Sequence, residues 1–348
     1  MNSKVKFILS KNKVLEQYNK VAHAADIVSY SSKTNQIVTR ILEKETNCMF
    51  SVHFKNELKH VTDLSRVIFL AQGWNTQEIT ELIDKGIKWF IVDNETDLNV
   101  LEIFLENNSN NEVKINVLLR LKLKENTLRT ERYYVFGMTS DVINKKVVEL
   151  RNNTKIGQLG IHFHRKTQNM AEWNYVYELE NVLTQETLQA IDLLNIGGGL
   201  PSEYANTNIH VVDGIFTKIN ECREWLQRHN IKLIIEPGRF IAAPAGKLIT
   251  KIVAIHDNTI IVNASVYNSD MDALIVPVKL LVENEVSKEE GYPYVIKGIT
   301  PCSMDLFRYR VYLNNPEVGD ELVFLNAGAY NFTTDFCDLD KIETEVIE

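Results

Sequence analysis

The sequence predicts a parallel (β/α)8 barrel followed by a second, C-terminal antiparallel β domain, and two rhythms predict it. Through residues 26–240, short β-branched runs alternate with longer stretches whose apolar residues recur every three or four positions, the pattern of strand then helix. Beyond Arg239 the helical spacing stops, and strand follows strand across Asp-Asn, Asn-Pro and Gly-Asp turns.

Taken in order, barrel strands are read at 26–32, 48–52, 67–72, 89–93, 113–121, 159–164, 193–197 and 233–237, with helices such as 36–45, 76–85, 95–106 and 214–228 between them. The Asn-rich stretch 107–111 reads as a polar loop between barrel units. Within 241–348, runs at 247–255, 259–263, 273–282, 294–297, 307–313, 321–325 and 341–347 read as strands of the second domain. The opening run 6–9, followed by a helix, offers that domain one more strand, so residues 1–25 are expected to join it.

A chain of 348 residues with 45% hydrophobic content can bury one large core with a smaller one attached. Its net charge of −8 argues against nucleic acid or an anionic membrane as partner. The early run Phe7-Ile8-Leu9 is too short for a signal peptide or a membrane span. Cys48, Cys222, Cys302 and Cys337 form no CxxC pair and show no zinc-ligand spacing, so reduced thiols in the cytoplasm are expected, and no metal.

Four segments carry the chemistry: Ser31-Ser32-Lys33-Thr34-Asn35, Phe163-His164, Asn195-Ile196-Gly197-Gly198-Gly199 and Glu236-Pro237-Gly238-Arg239. All fall at the carboxyl ends of predicted strands, where barrels of this kind hold their sites. An aldehyde cofactor such as pyridoxal 5'-phosphate binds through one lysine amine, and its phosphate needs close backbone N–H groups, which glycines permit. Its ring nitrogen needs an acid to stay protonated, and its ring face needs packing. Lys33, Gly197 to Gly199, Glu236 and His164 answer these needs in turn.

Each residue also has a plainer reading. A lysine at a strand end is usually a solvated side chain, and three glycines are usually a tight turn. His162 and His164 lie two apart on a strand and face the same way, as a metal pair would. Without a Cys, Asp or Glu partner at ligand spacing, His162 is expected to be a packed or hydrogen-bonded barrel histidine. Glu236 says most, because a carboxylate between Ile234-Ile235 and Pro237 at an interior strand end is costly to bury without a charged partner. A protonated pyridine ring is such a partner.

The ordered set resembles the fold-type III pyridoxal phosphate-dependent decarboxylases, the alanine-racemase-type barrel group that includes ornithine, arginine and diaminopimelate decarboxylases. Residues 30–35 are similar to the family's lysine segment, 160–164 to its histidine strand, 196–201 to its glycine-rich turn and 235–239 to its Glu-Pro-Gly-Arg signature. Residues 298–305 and 326–330 are similar to two further segments, so the resemblance covers nearly the whole chain. It implies a carboxy-lyase that works as a homodimer with shared active sites. By the same resemblance, Lys33 is the cofactor lysine, Glu236 keeps the ring nitrogen protonated and His164 stacks on the ring. Gly198, Gly199 and the Gly238-Arg239 backbone would hold the phosphate, with Thr167 and Tyr330 beside it. Arg120 would lie near the cofactor, and Glu57 would approach Lys33.

The departures concern the substrate. In ornithine decarboxylases the segment similar to 298–305 has a Cys-Asp pair, the Cys protonating the reacting carbon and the Asp binding the distal amine, both in the partner subunit's site. Aligned without a gap, Pro301 stands at the Cys place and Cys302 at the Asp place; one residue of slippage restores the thiol, so Cys302 is expected as proton donor and substrate contact. A second family aspartate for the distal amine is replaced by Ala264, which leaves Asp270, Asp272 and Asp305 as substitutes, Asp305 foremost. A further family carboxylate near the lysine corresponds to Ser51.

The expected activity is decarboxylation of a basic L-amino acid, of the ornithine or lysine type used to make polyamines. Diaminopimelate decarboxylation is the runner-up, with Arg308 or Arg310 as ligand of the second carboxylate. Carboxynorspermidine decarboxylation is weakened by the intact Arg239. Amino-acid racemisation is disfavoured by Glu236, because racemases of this architecture pair the ring nitrogen with arginine. Lys33, His164 and the glycine turn weigh against a non-catalytic regulatory homologue.

Overall fold

The computed structural model describes residues 4–108, 114–123, 135–207 and 209–348, so the expected Asn-rich loop lies, past Asn108, outside the described residues. Two compact units are formed. One comprises Tyr18–Pro201 and Val211–Gly238; the other comprises the chain up to Gln17, Ser202–His210 and Arg239–Glu348. The chain opens with β1 (Lys6–Ser10) and α1 (Lys11–Ala22).

The first unit runs through β2 (Ile27–Ser31), α2 (Gln36–Glu45), β3 (Met49–Val52), β4 (Val67–Ala71), α3 (Thr76–Asp84), β5 (Trp89–Val92), α4 (Glu95–Asn107) and β6 (Ile115–Arg120). It continues through α5 (Ser140–Arg151), β7 (Ile156–His162), α6 (Tyr175–Val182), α7 (Gln185–Ala190), β8 (Leu193–Asn195), α8 (Val212–Arg228) and β9 (Lys232–Ile235). Strands β2 to β9 close in sequence order into an eight-stranded parallel barrel, with Ile27 opposite Ile234 and Val28 opposite Ile235 at the seam. β-branched side chains favour these strands because they pack on a pleated surface. Ile68, Ile91, Leu118, Leu193 and Ile234, each from a different strand, form a buried cluster inside it. Fully burying one such side chain contributes roughly 1.5–3 kcal/mol.

The turns between strand and helix fix the strand ends. Lys33 lies in a single 3-10 turn (Ser32–Thr34) between β2 and α2. Immediately after it, the Asn35 side chain accepts the Ile37 and Val38 N–H groups at 2.9 and 3.5 Å, so α2 starts at a set distance from the lysine.

The second unit adds α9 (Arg239–Ala242), β10 (Gly246–His256), β11 (Thr259–Val262), α10 (Val266–Ser269), α11 (Asp272–Ile275), β12 (Leu281–Val282), β13 (Tyr292–Lys297), β14 (Leu306–Leu313), β15 (Glu321–Leu325) and β16 (Glu343–Ile347). Its sheet has the order β12-β15-β10-β11-β13-β14, with β1 pairing both β10 and β16. Most neighbours are antiparallel, but β1 with β16 and β11 with β13 are parallel, so the sheet is mixed.

Residues 273–282 do not form the expected strand. The N–H groups of Ala273, Leu274 and Ile275 turn back to the carbonyls of Asp270, Met271 and Met271 at 3.1, 3.1 and 3.2 Å, which makes a helical turn. Pro277 then has no N–H for a ladder, and pairing begins only where Leu281 meets Leu325. A short apolar run does not separate a buried helical turn from a strand by periodicity alone. Residues 202–210, expected in the barrel, group with the sheet: the Ala205 N–H donates to the Lys279 carbonyl at 2.8 Å, and Asn206 Nδ2 donates to that of Pro277 at 3.0 Å.

Candidate active site

At the carboxyl ends of β2, β3, β6, β7, β8 and β9 the barrel gathers Lys33, His53, Glu57, Arg120, His162, His164, Asn195 and Glu236. Lys33 reaches solvent in a mouth otherwise surrounded by protein. Burial pushes its ammonium down, Glu57 and Glu236 oppose that, and Arg120 adds to it. The amine is therefore easier to deprotonate than a surface lysine, as covalent attachment to an aldehyde requires.

Glu236 is buried, with 7% of its surface exposed. Its Oε1 accepts from Ser51 Oγ at 2.7 Å and from Asn195 Nδ2 at 3.0 Å, and Oε2 lies 3.2 Å from His162 Nε2. Burial alone would raise this carboxyl, but His162, the Ser51 hydroxyl and the nearby His53 outweigh it and hold the group below the usual carboxylate range. Burial keeps His162 neutral, so it acts on the carboxylate as an Nε2–H donor, leaving Nδ1 as an acceptor with no hydrogen-bond partner. A carboxylate offers about four acceptor positions, and three are filled from within the barrel. One position on Oε2 remains for a cationic N–H.

His164 follows the end of β7. The Gly198 N–H donates to its Nδ1 at 3.2 Å, and burial, with Arg120 beside it, pushes the imidazole down to about 3. His164 is thus neutral, and its ring is oriented by the glycine turn. That turn requires glycine: a Cβ on Gly198 would strike the Glu236 carbonyl oxygen, and Gly199 has a φ of +106°. Gly197 N–H donates to Asn195 Oδ1 at 2.9 Å, so the N–H groups of the first two glycines are taken by Asn195 and His164. Gly238 packs on the Thr34 side chain, which ties the Glu-Pro-Gly segment to the lysine turn. Thr167 lies half-buried in the loop that follows His164.

Arg120 ends β6 and is anchored by Asp93 at 2.9 Å, with Phe136 4.6 Å from its guanidinium. Glu57 accepts the His53 N–H through Oε1 at 3.1 Å, while Oε2, like His53 Nδ1, is buried without a hydrogen-bond partner. His53 and Asp93 carry no assignment in the sequence reading, and Asn195 enters it only as the first residue of the glycine segment. His53 stands just past the end of β3, and that position is the available signal.

Within the second unit, Arg239 pairs with both oxygens of buried Asp272, its NH1 lies 3.1 Å from the Tyr204 hydroxyl, and its guanidinium lies 5.0 Å from the Tyr330 ring. Asp272 is therefore engaged by arginine. Asp270 is buried with an unpartnered Oδ2, and burial pushes it up to about 7. Cys302 is partly exposed, with the Tyr267 hydroxyl 3.3 Å from Sγ.

Asp305 does not stand where a substrate amine would meet it. It has no exposed surface, and its carboxylate accepts the N–H groups of Val266 and Thr300 at 2.9 and 3.0 Å and the Thr300 hydroxyl at 2.7 Å. This aspartate is a cap that fixes the 298–305 turn, because its oxygens satisfy buried backbone donors. Arg308 is likewise engaged, donating to Glu285 at 2.9 and 3.2 Å and to the carbonyls of Leu280 and Arg310. Arg310 is exposed.

The barrel residues fit pyridoxal phosphate. The donor set leaves one acceptor position on a buried carboxylate for a protonated ring nitrogen, in the same mouth as an amine whose ammonium is disfavoured. Residues 11–243 match the family described as pyridoxal-dependent decarboxylase, pyridoxal binding domain. The chain is 23% identical over 344 residues to diaminopimelate decarboxylase of Campylobacter jejuni, covering 88% of this chain and 80% of that protein. It is 25% identical over 375 residues to ornithine decarboxylase of Candida albicans, covering 91% and 77%. Its fold is shared with the crystal structure of lysine/ornithine decarboxylase complexed with cadaverine from Vibrio vulnificus, with a TM-score of 0.80, 20% identity and coverage of 100% and 96%.

Proposed function

The chain belongs to the pyridoxal-dependent decarboxylases, and we propose that it removes the α-carboxylate of a basic L-amino acid of the ornithine or lysine type, as a cytoplasmic homodimer serving polyamine synthesis. The acceptor position left on Glu236 beside Lys33 carries the catalytic part of this reading. Pyridoxal phosphate, when bound, supplies an electron-withdrawing ring that takes up the electron pair left as CO2 departs.

The protein's own residues then have distinct tasks. Lys33 would hold the cofactor through its amine, whose ammonium form burial disfavours. Glu236, held ionised by Ser51, Asn195 and His162, keeps a proton on the ring nitrogen. Neutral His164 offers an uncharged ring face. Gly198, Gly199, Gly238, Arg239, Thr167 and Tyr330 are assigned to the phosphate side, with Arg120 near the cofactor. Cys302 gives its S–H proton to the carbon that has lost CO2. Cys302 belongs to the second unit and Lys33 to the barrel, which is consistent with the family's sharing of sites across a homodimer.

Of the two arginines considered for a second carboxylate, Arg308 is already engaged by Glu285 and two carbonyls while Arg310 is exposed; of the aspartates considered for a distal amine, Asp272 and Asp305 are engaged within the second unit. The name of the Campylobacter jejuni relative favours a second reading, decarboxylation of diaminopimelate in lysine synthesis. Free thiols at all four cysteines accord with a reducing compartment. Among the described residues, no helix is long and apolar enough to cross a membrane. A panel of ornithine, lysine, arginine, diaminopimelate and carboxynorspermidine, read by CO2 and amine release, tests the substrate. Preferred turnover of ornithine or lysine is expected; preferred turnover of diaminopimelate establishes the second reading.

A further inference from the structure

Cys302 lies on the turn 298–305, which the buried Asp305 carboxylate fixes from inside. Its Sγ is 3.3 Å from the hydroxyl of Tyr267, on α10. The Tyr267 ring stacks on Phe336 with centroids 3.8 Å apart, and its carbonyl accepts the Thr334 N–H at 2.9 Å and the Thr334 hydroxyl at 3.0 Å. The phenol is thereby held at both backbone and ring, with its O–H at the sulfur. We propose that Tyr267 is the positioning residue of Cys302, donating its O–H to Sγ and stabilising the negative charge that sulfur acquires when it gives up its proton. This rests on the reading of Cys302 as proton donor.

The contact itself admits either donor; the phenol is taken as donor because a sulfur that has given up its proton can only accept. The bond to Cys302, with partial burial, pushes the phenol up to about 12, so the phenol keeps its proton. The same bond, with help from the backbone N–H groups of Met304 and Asp305, lowers the thiol, while the Asp305 charge opposes it. Cys337 also acts electrostatically on Tyr267. Burial pushes Cys48 and Cys222 up to about 12, which makes them poor nucleophiles and poor acids.

In the reaction, the substrate's Cα–carboxylate bond breaks and CO2 leaves without the bonding pair. The S–H bond of Cys302 then breaks, its proton joins that carbon, and sulfur keeps the S–H pair as a thiolate. Water returns a proton to sulfur afterwards. A hydrogen bond that strengthens as sulfur becomes charged favours the transition state over the ground state. Tyr267 therefore acts on rate and on the fidelity of protonation, with little effect on substrate binding.

The test is the pH dependence of iodoacetamide alkylation in the intact protein, followed peptide by peptide, with added glutathione as the reference thiol. In Tyr267→Phe the stacked ring remains and the donor is lost. The Cys302 midpoint should rise and its alkylation at neutral pH should slow roughly three- to tenfold, the scale of one hydrogen bond, with the rate of the reference thiol unchanged. Phe336→Leu, which keeps the hydroxyl but removes the ring that holds it, should shift Cys302 the same way by less. An unchanged Cys302 midpoint in Tyr267→Phe overturns the proposal. A shifted midpoint with unchanged kcat, KM and product instead overturns Cys302 as proton donor, leaving the Tyr267 contact in place.

Discussion

Ser51 Oγ donates to Glu236 Oε1 at 2.7 Å and lies 2.7 Å from Ser29 Oγ, so two buried hydroxyls in series support the carboxylate of the barrel mouth. Because Ser51 gives its proton to the carboxylate, Ser29 must be the donor to Ser51. The position that the family resemblance assigns to a carboxylate near the lysine thus serves here to hold Glu236 ionised.

Ser51→Ala removes a donor to a buried charge, a bond worth about 1.5–3 kcal/mol. The folded carboxyl lies below its unfolded value, so its contribution to stability is complete above about pH 4.3 and is lost as pH falls through the folded value. Urea unfolding at pH 7 should show a loss of that size, with turnover reduced roughly tenfold. An unchanged midpoint would show that the hydroxyl contributes nothing to the ionised carboxylate.

Glu236→Gln leaves a neutral amide where a charge is needed. Each pKa unit lost at the ring nitrogen corresponds to about 1.4 kcal/mol between its protonation states. Turnover should fall by orders of magnitude while circular dichroism stays that of the folded protein. Near-normal turnover would mean that this carboxylate does not face the ring.

His162 and His164 are held neutral by burial, below their unfolded value. The unfolded chain therefore binds more protons as pH drops below about 6.5, and each histidine that stays neutral in the fold removes up to about 1.4 kcal/mol of stability per pH unit. Denaturation midpoints should fall between pH 7 and pH 5, and His164→Asn should flatten the slope. The same slope in that variant would contradict a neutral His164.

Asp305→Ala deprives two backbone N–H groups and the Thr300 hydroxyl of their acceptor, at a cost of about 1–3 kcal/mol for each buried donor left unpaired. Thermal unfolding should shift down, and substrate preference among ornithine, lysine and diaminopimelate should stay the same. A variant of normal stability that had changed substrate would restore Asp305 to the substrate side.

The barrel and much of its mouth were legible in the sequence because strand-end chemistry is local. Lys33, His164, the glycine turn and Glu236 each follow an apolar strand closely enough for position alone to place them. The contacts among them were not legible: Glu236 meets Ser51 and Asn195 across 185 and 41 residues of chain, and only barrel closure brings these together. His53 was missed because no motif marks it, only its place just past the end of β3. In the second unit, Ala273 to Val282 looked like a strand because a short buried helical turn before Pro277 has the same apolar composition. The capping by Asp305 was not legible, because it depends on backbone donors whose direction a sequence does not show.

The most direct measurement is borohydride reduction of the purified protein supplied with pyridoxal phosphate, followed by peptide mapping. The account predicts a yellow protein and the reduced cofactor fixed to the Lys33 peptide, with adduct and turnover both absent in Lys33→Ala. A colourless protein that takes up no cofactor, or a label carried by another lysine with Lys33→Ala still active, would contradict it.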